Sequence, residues 1–140
     1  MIAARIKQGL IFIFGKYHRE NDIFIKNVLT DEEFKIFDGM SEYDKIHSFN
    51  LYNLVKKNNI LKDDKNYLKL ALLHDCGKEN YSLFKRMKKV IIGDKHIEKH
   101  PEKSFEKLKN INRKIAELAL IHHNLSADKK MEEFQRLDDK

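Results

Sequence analysis

One short segment, apolar almost all round, constrains the fold of this chain more than any other feature. It reads Tyr67-Leu68-Lys69-Leu70-Ala71-Leu72-Leu73. A helix with this pattern is buried in the middle of a domain, so the rest of the chain must pack around it. His74 and Asp75 follow directly, and Gly77 stands two residues beyond them as the expected end of the helix. Two polar groups are therefore expected at the end of the most buried helix.

Residues that form turns are scarce, which favours helices over a many-stranded β architecture. The 140 residues include one proline and five glycines, and 41% of them are hydrophobic. This length fits one domain with its own core. We predict an all-α, compact single-domain bundle of about seven helices. Residues 1–40 are expected to form an N-terminal helical extension packed on the core, and residues 41–140 the main helical domain.

Local signals place the individual helices. Thr30 and Glu33 have the spacing of a capping box, and Gly39 stands just past the end of the short helix that they open. Ser41 is a candidate cap for a helix over 42–57, with an inward stripe of Tyr43, His47, Asn50 and Leu54. Asp63 or Asp64 opens the apolar helix. Further helices are predicted at about 2–14, with Ile2, Ile6, Leu10 and Ile13 on one stripe, and at about 81–92, 101–109, 112–123 and 127–138.

Charge and cysteine content exclude several classes of function. The formal net charge is +6, but lysines outnumber arginines 23 to 5, which indicates a solvated surface more than a nucleic-acid interface. The apolar run 9–14 is far shorter than a membrane span. A single cysteine, Cys76, excludes an internal disulfide and a Cys-rich zinc site. We expect a cytoplasmic protein with no membrane or nucleic-acid partner; no oligomeric state is specified.

The histidines carry the functional signal. His74-Asp75 alone fits either a metal site or an internal hydrogen-bonded pair that links helices. Five histidines at helix ends or on apolar faces, together with an aspartate, favour the metal site. Imidazole and carboxylate ligands suit iron, manganese, zinc, cobalt or nickel, and more than four candidates indicate two ions. The five histidines are His47, His74, His100, His122 and His123.

This arrangement resembles the HD-domain superfamily of metal-dependent phosphohydrolases over residues 41–140. The residues that carry the resemblance are His47, His74-Asp75 with Gly77-Lys78, His100, His122-His123 and Asp138. The second set of histidines is similar to the two-metal HD-GYP subgroup. However, Asn124-Leu125-Ser126-Ala127 follow His123, and no Gly-Tyr-Pro is present. Ser104 stands where such relatives often have a glycine, and Tyr43 stands where some have a glutamate for a third metal.

The resemblance implies a role for each site residue. His47, His74, Asp75 and Asp138 would hold the first ion, and His100, His122 and His123 would complete the second, with Asp75 bridging. Asp139 is the alternative to Asp138. Asp75 and Lys78 would be the catalytic residues, with the Lys78 ammonium directed at a substrate phosphate; the alternative is an ordinary exposed lysine. Cys76 is interpreted as a packing residue.

The implied function is hydrolysis of a phosphoester, as a phosphatase or phosphodiesterase acting on a nucleotide or another small phosphorylated molecule. The implied cofactors are two divalent transition metal ions, either iron or manganese, or zinc, nickel or cobalt. Two alternatives stay open on the sequence alone. One is a mixed-valence di-iron oxygenase with the same ligands, and the other is a non-catalytic metal- or nucleotide-binding regulatory module.

Overall fold

The computed structural model describes residues 2–3, 6–7, 9–10, 15–78 and 100–139. Within these ranges the regular structure is helical throughout, without a strand, which confirms the all-α prediction. Among the described residues, no helix has the length and apolarity needed to span a membrane. A 3₁₀ turn at Arg19–Asn21 precedes seven α-helices: α1 (Asp22–Lys26), α2 (Asp31–Asp38), α3 (Glu42–Lys57), α4 (Lys65–Leu73), α5 (His100–Leu108), α6 (Arg113–Ile121) and α7 (Lys129–Asp138).

Side-chain caps set the starts of five of these helices. Thr30 and Glu33 form both hydrogen bonds of the predicted capping box, and Ser41 caps α3 through the Asp44 amide. Asp64, rather than Asp63, caps α4 by accepting from the Asn66 N–H. The remaining two caps are Asn112 on α6 and Asp128 on α7.

Helix α4 is the centre of the bundle, as its sequence predicts. Its side chains at Leu70, Ala71, Leu72 and Leu73 have no exposed surface. It packs against α2, α3 and α6, while α5 packs on α6 and α7 packs on α3. The end of α4 therefore lies inside the bundle, where any polar side chain must find a partner.

The buried face of α3 lies one residue further along than predicted. Asn50 is exposed and Leu54 keeps 37% of its surface exposed, so the stripe through these residues is not inward. The buried line is instead Asp44, Ser48, Leu51 and Val55. One residue is a rotation of about 100° around a helix, which leaves His47 at the border between core and solvent.

The region before α2 departs most from the predictions. The 3₁₀ turn and α1 were not predicted, because this short stretch has no sustained apolar period. Ile2, Ile6 and Leu10 expose 79%, 58% and 54% of their surface, so the expected packing of this stripe on the core is not seen for them. The rest of the predicted helix 2–14, including Ile13, and the whole of the predicted helix 81–92 lie outside the described residues. The division at residue 40 stays a prediction.

Candidate metal centre

A turn at the buried end of α4 carries the centre of the site. The helix ends at Leu73, and residues 74–77 form the turn that follows. His74 has no exposed surface and Asp75 has 3%. The predicted position of this His-Asp pair, at the end of the most buried helix, is therefore confirmed.

The structure brings all seven predicted ligands into two neighbouring groups. Within each group the candidate ligand atoms lie within 4.8 Å of one another. These groups match the two sets that the resemblance implies, and metal binding by them stays a prediction. We call them site A, formed by His47, His74 and Asp138, and site B, formed by Asp75, His100, His122 and His123.

The Asp75 carboxylate faces both sites, one oxygen to each. Its Oδ1 lies 3.1 Å from His100 Nε2 and 3.8 Å from His122 Nε2, in site B. Its Oδ2 lies 3.2 Å from His74 Nε2 and 3.9 Å from His47 Nε2, in site A. This is the placement that a bridging carboxylate requires.

Helix ends orient the two most buried imidazoles in the same way. His74 and His122 are the C-cap residues of α4 and α6, where backbone carbonyls lack partners within the helix. Each ring donates its Nδ1–H to the carbonyl three residues earlier, Ala71 at 3.1 Å and Ala119 at 2.5 Å. A carbonyl can only accept, so Nδ1 is the donor, and Nε2 is left to face the site.

The Nε2 atoms of both rings are buried and face carboxylate oxygens. His74 Nε2 stands at ion-pair distance from Asp75 Oδ2 and Asp138 Oδ1, at 3.2 Å and 3.3 Å, whereas His122 Nε2 has no hydrogen-bond partner among the described residues. A buried imidazole nitrogen without a hydrogen bond is costly, and a metal ion would satisfy the one on His122. In site B, His100 Nε2 and His123 Nε2 also point at each other, 3.1 Å apart. Ligand atoms of one tetrahedral first-row ion stand about 3.3–3.6 Å apart, so the spacing and the donor types both fit such ions.

Charge coupling shifts the pKa values of the metal-free cluster in opposite directions. Burial alone lowers the pKa of His74, but Asp75 and Asp138 outweigh it and raise that pKa to about 10. Burial opposes ionisation of both carboxyls, yet the His74 charge keeps their pKa values well below the usual range. Burial lowers the pKa of His122 to about 3 and also lowers that of His123. A metal ion would therefore displace a proton from His74 and meet a neutral ring at His122.

Lys78 belongs to the site and is not an ordinary surface lysine. Its Nζ lies 3.1 Å from Asp75 Oδ2, and about a quarter of its side chain, 25%, is exposed. The ammonium is therefore paired with Asp75 and still partly open to solvent.

Helix α7 docks firmly enough to supply the last ligand. Asp138 Oδ1 lies 2.9 Å from His47 Nε2 and 3.3 Å from His74 Nε2, whereas Asp139 is exposed at the helix cap. The Phe134 ring is fully buried and meets the His74 ring edge-on at 5.7 Å. Asp138, and not Asp139, therefore occupies the predicted ligand position.

Two residues on the same helix as His47 lie near site A; from the sequence, Tyr43 was linked to the site only as the counterpart of a third-metal glutamate, and Asp44 was assigned no role. The Tyr43 ring stacks parallel to the His47 ring, with centroids 6.3 Å apart. Asp44 is buried and accepts from Ser41 Oγ at 2.7 Å, and burial raises the pKa of its carboxyl. The available signal was their position, three and four residues before His47 on one helix.

One face of α5 holds the turn that carries the ligands. Ser104 Oγ donates to the His74 carbonyl at 3.0 Å and accepts the Gly77 N–H at 2.8 Å. Lys107 Nζ donates to the Cys76 carbonyl at 2.8 Å. These supporting residues were not predicted, although their spacing of four and seven from His100 places them on its face.

Cys76 is a packing residue, as interpreted from the sequence. Its side chain is 2% exposed, and burial raises the pKa of the thiol to about 11. A buried thiol that stays protonated at neutral pH is not a nucleophile, and Cys76 belongs to neither of the two candidate ligand groups.

Comparison with known proteins agrees with this geometry. A family model described as the HD domain matches residues 44–138, which include every candidate ligand. Neither the curated proteins nor the solved structures gave a significant match. Proteins with this domain are usually metal-dependent phosphohydrolases. Since the match covers more than half of the sequence, this chain belongs to the HD-domain family.

Proposed function

We propose that this protein is a cytoplasmic metal-dependent phosphohydrolase that acts on a small phosphorylated molecule, with a nucleotide as the favoured substrate class. The observation that carries the proposal is the Asp75 carboxylate, which presents one oxygen to site A and the other to site B. A carboxylate so placed has a role in a binuclear centre that a single-ion site does not need.

The proposed ligands divide between two divalent transition ions. His47, His74 and Asp138 hold one, and His100, His122 and His123 hold the other, with Asp75 shared. Bound divalent ions supply Lewis acidity, which lowers the pKa of water and offsets charge on a phosphoryl oxygen. The buried Nε2 of His122 supports this assignment, because it faces the site without a hydrogen-bond partner among the described residues, and the buried Nε2 of His74 faces the carboxylates of Asp75 and Asp138 in the same ligand set.

Lys78 is the proposed substrate-binding cation. Its ammonium is held near the site by Asp75 and is partly exposed, so a phosphoryl oxygen can approach it from solvent. Negative charge that grows on the transferring group would be offset by this ammonium. His123 is the exposed member of site B, and His47 in site A is partly exposed, as is Lys78, so solvent reaches ligands of both proposed sites.

Metal analysis of the full chain tests the proposal first. We expect freshly purified protein to contain close to two transition ions per chain by inductively coupled plasma mass spectrometry. His74→Ala and Asp75→Ala should lose both metal and phosphatase or phosphodiesterase turnover measured with added Mn²⁺ or Fe²⁺. His18→Ala is the matched control, because His18 is exposed and distant in sequence from every ligand. Full metal content and turnover in both site variants would refute the assignment.

The same preparation separates the alternatives. An iron pair with an EPR signal in partly reduced protein, together with turnover that requires dioxygen, would favour the oxygenase. Stoichiometric metal with no turnover on any phosphoester or with dioxygen would favour the regulatory module.

A further inference from the structure

Two buried backbone groups in the ligand-bearing turn depend on one side chain. The turn at residues 74–77 leaves the α4 helix, so the His74 carbonyl and the Gly77 N–H are both outside the helical hydrogen-bond ladder. Ser104 Oγ bonds to both, at 3.0 Å and 2.8 Å, and Ser104 itself has no exposed surface. One hydroxyl thus joins the two ends of the turn that contains Asp75.

The same helix face supplies a ligand and its support. His100 lies four residues before Ser104 on α5, and its Nε2 is 3.1 Å from Asp75 Oδ1. A displacement of α5 relative to the turn would therefore change a ligand contact and the two Ser104 hydrogen bonds together. The backbones are already in close approach there, since a Cβ on Gly77 would collide with the backbone of His100, Lys103 and Ser104.

We propose that Ser104 is a positioning residue of the metal centre, whose buried hydroxyl fixes the turn at residues 74–77 so that Asp75 presents one oxygen to each site. This inference rests on the proposed function. Ser104 touches no substrate or ion; it acts through the backbone of His74 and Gly77. Outer-shell hydrogen bonds that orient ligands typically change metal affinity by about 10- to 100-fold when removed.

Ser104→Ala tests the proposal, with Co²⁺ as the probe. We expect its Co²⁺ dissociation constants, measured by competition with a chromophoric chelator, to rise about 10- to 100-fold. We also expect an altered Co²⁺ absorption spectrum, because the ligand geometry changes. Ser48→Ala is the matched control: Ser48 is equally buried, but its hydroxyl has no partner among the described residues. It should bind Co²⁺ as the unaltered chain does.

A second control separates positioning from loss of stability. Leu108 is fully buried on the same helix and makes none of the hydrogen bonds to the turn. Leu108→Ala should lower the melting temperature at least as much as Ser104→Ala, yet retain the Co²⁺ affinity and spectrum when measured well below melting. Equal losses of Co²⁺ affinity in Leu108→Ala and Ser104→Ala would overturn the positioning role.

The outcomes for the unaltered chain complete the test. If it binds Co²⁺ and Ser104→Ala binds with the same constants and spectrum, the inference fails and the proposed function stands. If the unaltered chain binds no Co²⁺, both fail. Should Ser104→Ala not fold, amide hydrogen exchange of the unaltered chain decides. Protection of the Gly77 N–H at the level of core amides supports the Ser104 hydrogen bond, and rapid exchange overturns it.

Discussion

Replacement of Gly77 by alanine tests the closest approach between two backbones at the metal centre. A Cβ at this position would lie 2.8 Å from the Lys103 carbonyl carbon, and closer still to His100 O and Ser104 N. All three are backbone atoms of α5, so no rotamer change relieves the collision. To reach an ordinary contact of 3.4 Å, the helix must retreat by 0.6 Å at Lys103 and by about 1 Å at the other two atoms.

The size of the effect follows from two terms. Overpacking of a close-packed site costs about 1–3 kcal/mol. The same movement would stretch the hydrogen bond from the Gly77 N–H to Ser104 Oγ, which adds about 1 kcal/mol to the destabilisation. We therefore expect Gly77→Ala to lower the free energy of unfolding by about 2–4 kcal/mol and the urea midpoint by roughly 1–2 M. The His100–Asp75 contact at 3.1 Å would open as well, so Co²⁺ affinity should fall at least tenfold.

A matched glycine provides the control. Among the described residues, a Cβ on Gly39 would meet only the carbonyl oxygens of Ile36 and Lys35, each at an ordinary 3.6 Å, and the Gly39 backbone is right-handed helical. Gly39→Ala should therefore be neutral or stabilising by about 0.4–1 kcal/mol, through the entropy of the unfolded chain. Urea unfolding followed by circular dichroism compares the two. Equal midpoints for Gly77→Ala and Gly39→Ala would refute the close-approach reasoning.

Three further predictions address ligands, substrate and pH. Asp138→Ala should weaken Co²⁺ binding at least tenfold, whereas Asp139→Ala, at the exposed neighbouring position, should not change it. The opposite result would identify Asp139 as the last ligand. Lys78→Met should raise KM or lower kcat toward a phosphoester while the metal content stays unchanged. Unaltered kinetics would show that Lys78 does not interact with the substrate. Glu33 is buried, which opposes ionisation, but hydrogen bonds from three donors lower the pKa of its carboxyl below 4.5. The contribution of ionised Glu33 to the stability of the fold is therefore present above about pH 4.5 and is lost as the pH falls through the folded-state pKa. Glu33→Gln should cost about 1–3 kcal/mol at pH 7, and its difference from the unaltered chain should shrink in acid-dependent urea unfolding; a constant difference would contradict this.

Sequence predicted the parts of this fold that depend on local interactions. The Thr30 box and the Ser41 cap are hydrogen bonds between residues three apart, so the sequence alone contains both partners. The α4 segment is apolar on nearly every side, so its burial did not depend on knowing its neighbours. The position of His74 and Asp75 followed from the same segment.

Features that depend on distant partners could not be predicted in this way. Helix α3 has two candidate inward stripes, one residue apart, and only its packing against α4 and α7 selects the line through Ser48 and Leu51. The two hydrogen bonds of Ser104 reach Gly77 and His74, which lie 27 and 30 positions away in the sequence. A serine inside a helix gives no local sign of such distant hydrogen bonds. The candidate ligands could be singled out because their residue types are uncommon in a core, whereas Ser104 is chemically ordinary.

The charges of the centre favour an anionic substrate. In the metal-free chain the buried carboxylates of Asp75 and Asp138 face two cations, Lys78 and protonated His74, while His122 is neutral. Two divalent ions would add four positive charges and displace the single His74 proton, so the loaded centre holds more positive charge than its carboxylates offset. Excess charge in a partly buried site is costly until an anion enters. A phosphoryl group brings that negative charge, whereas a neutral substrate brings none. With two ions bound as proposed, this charge balance would favour the proposed phosphoester over an uncharged molecule.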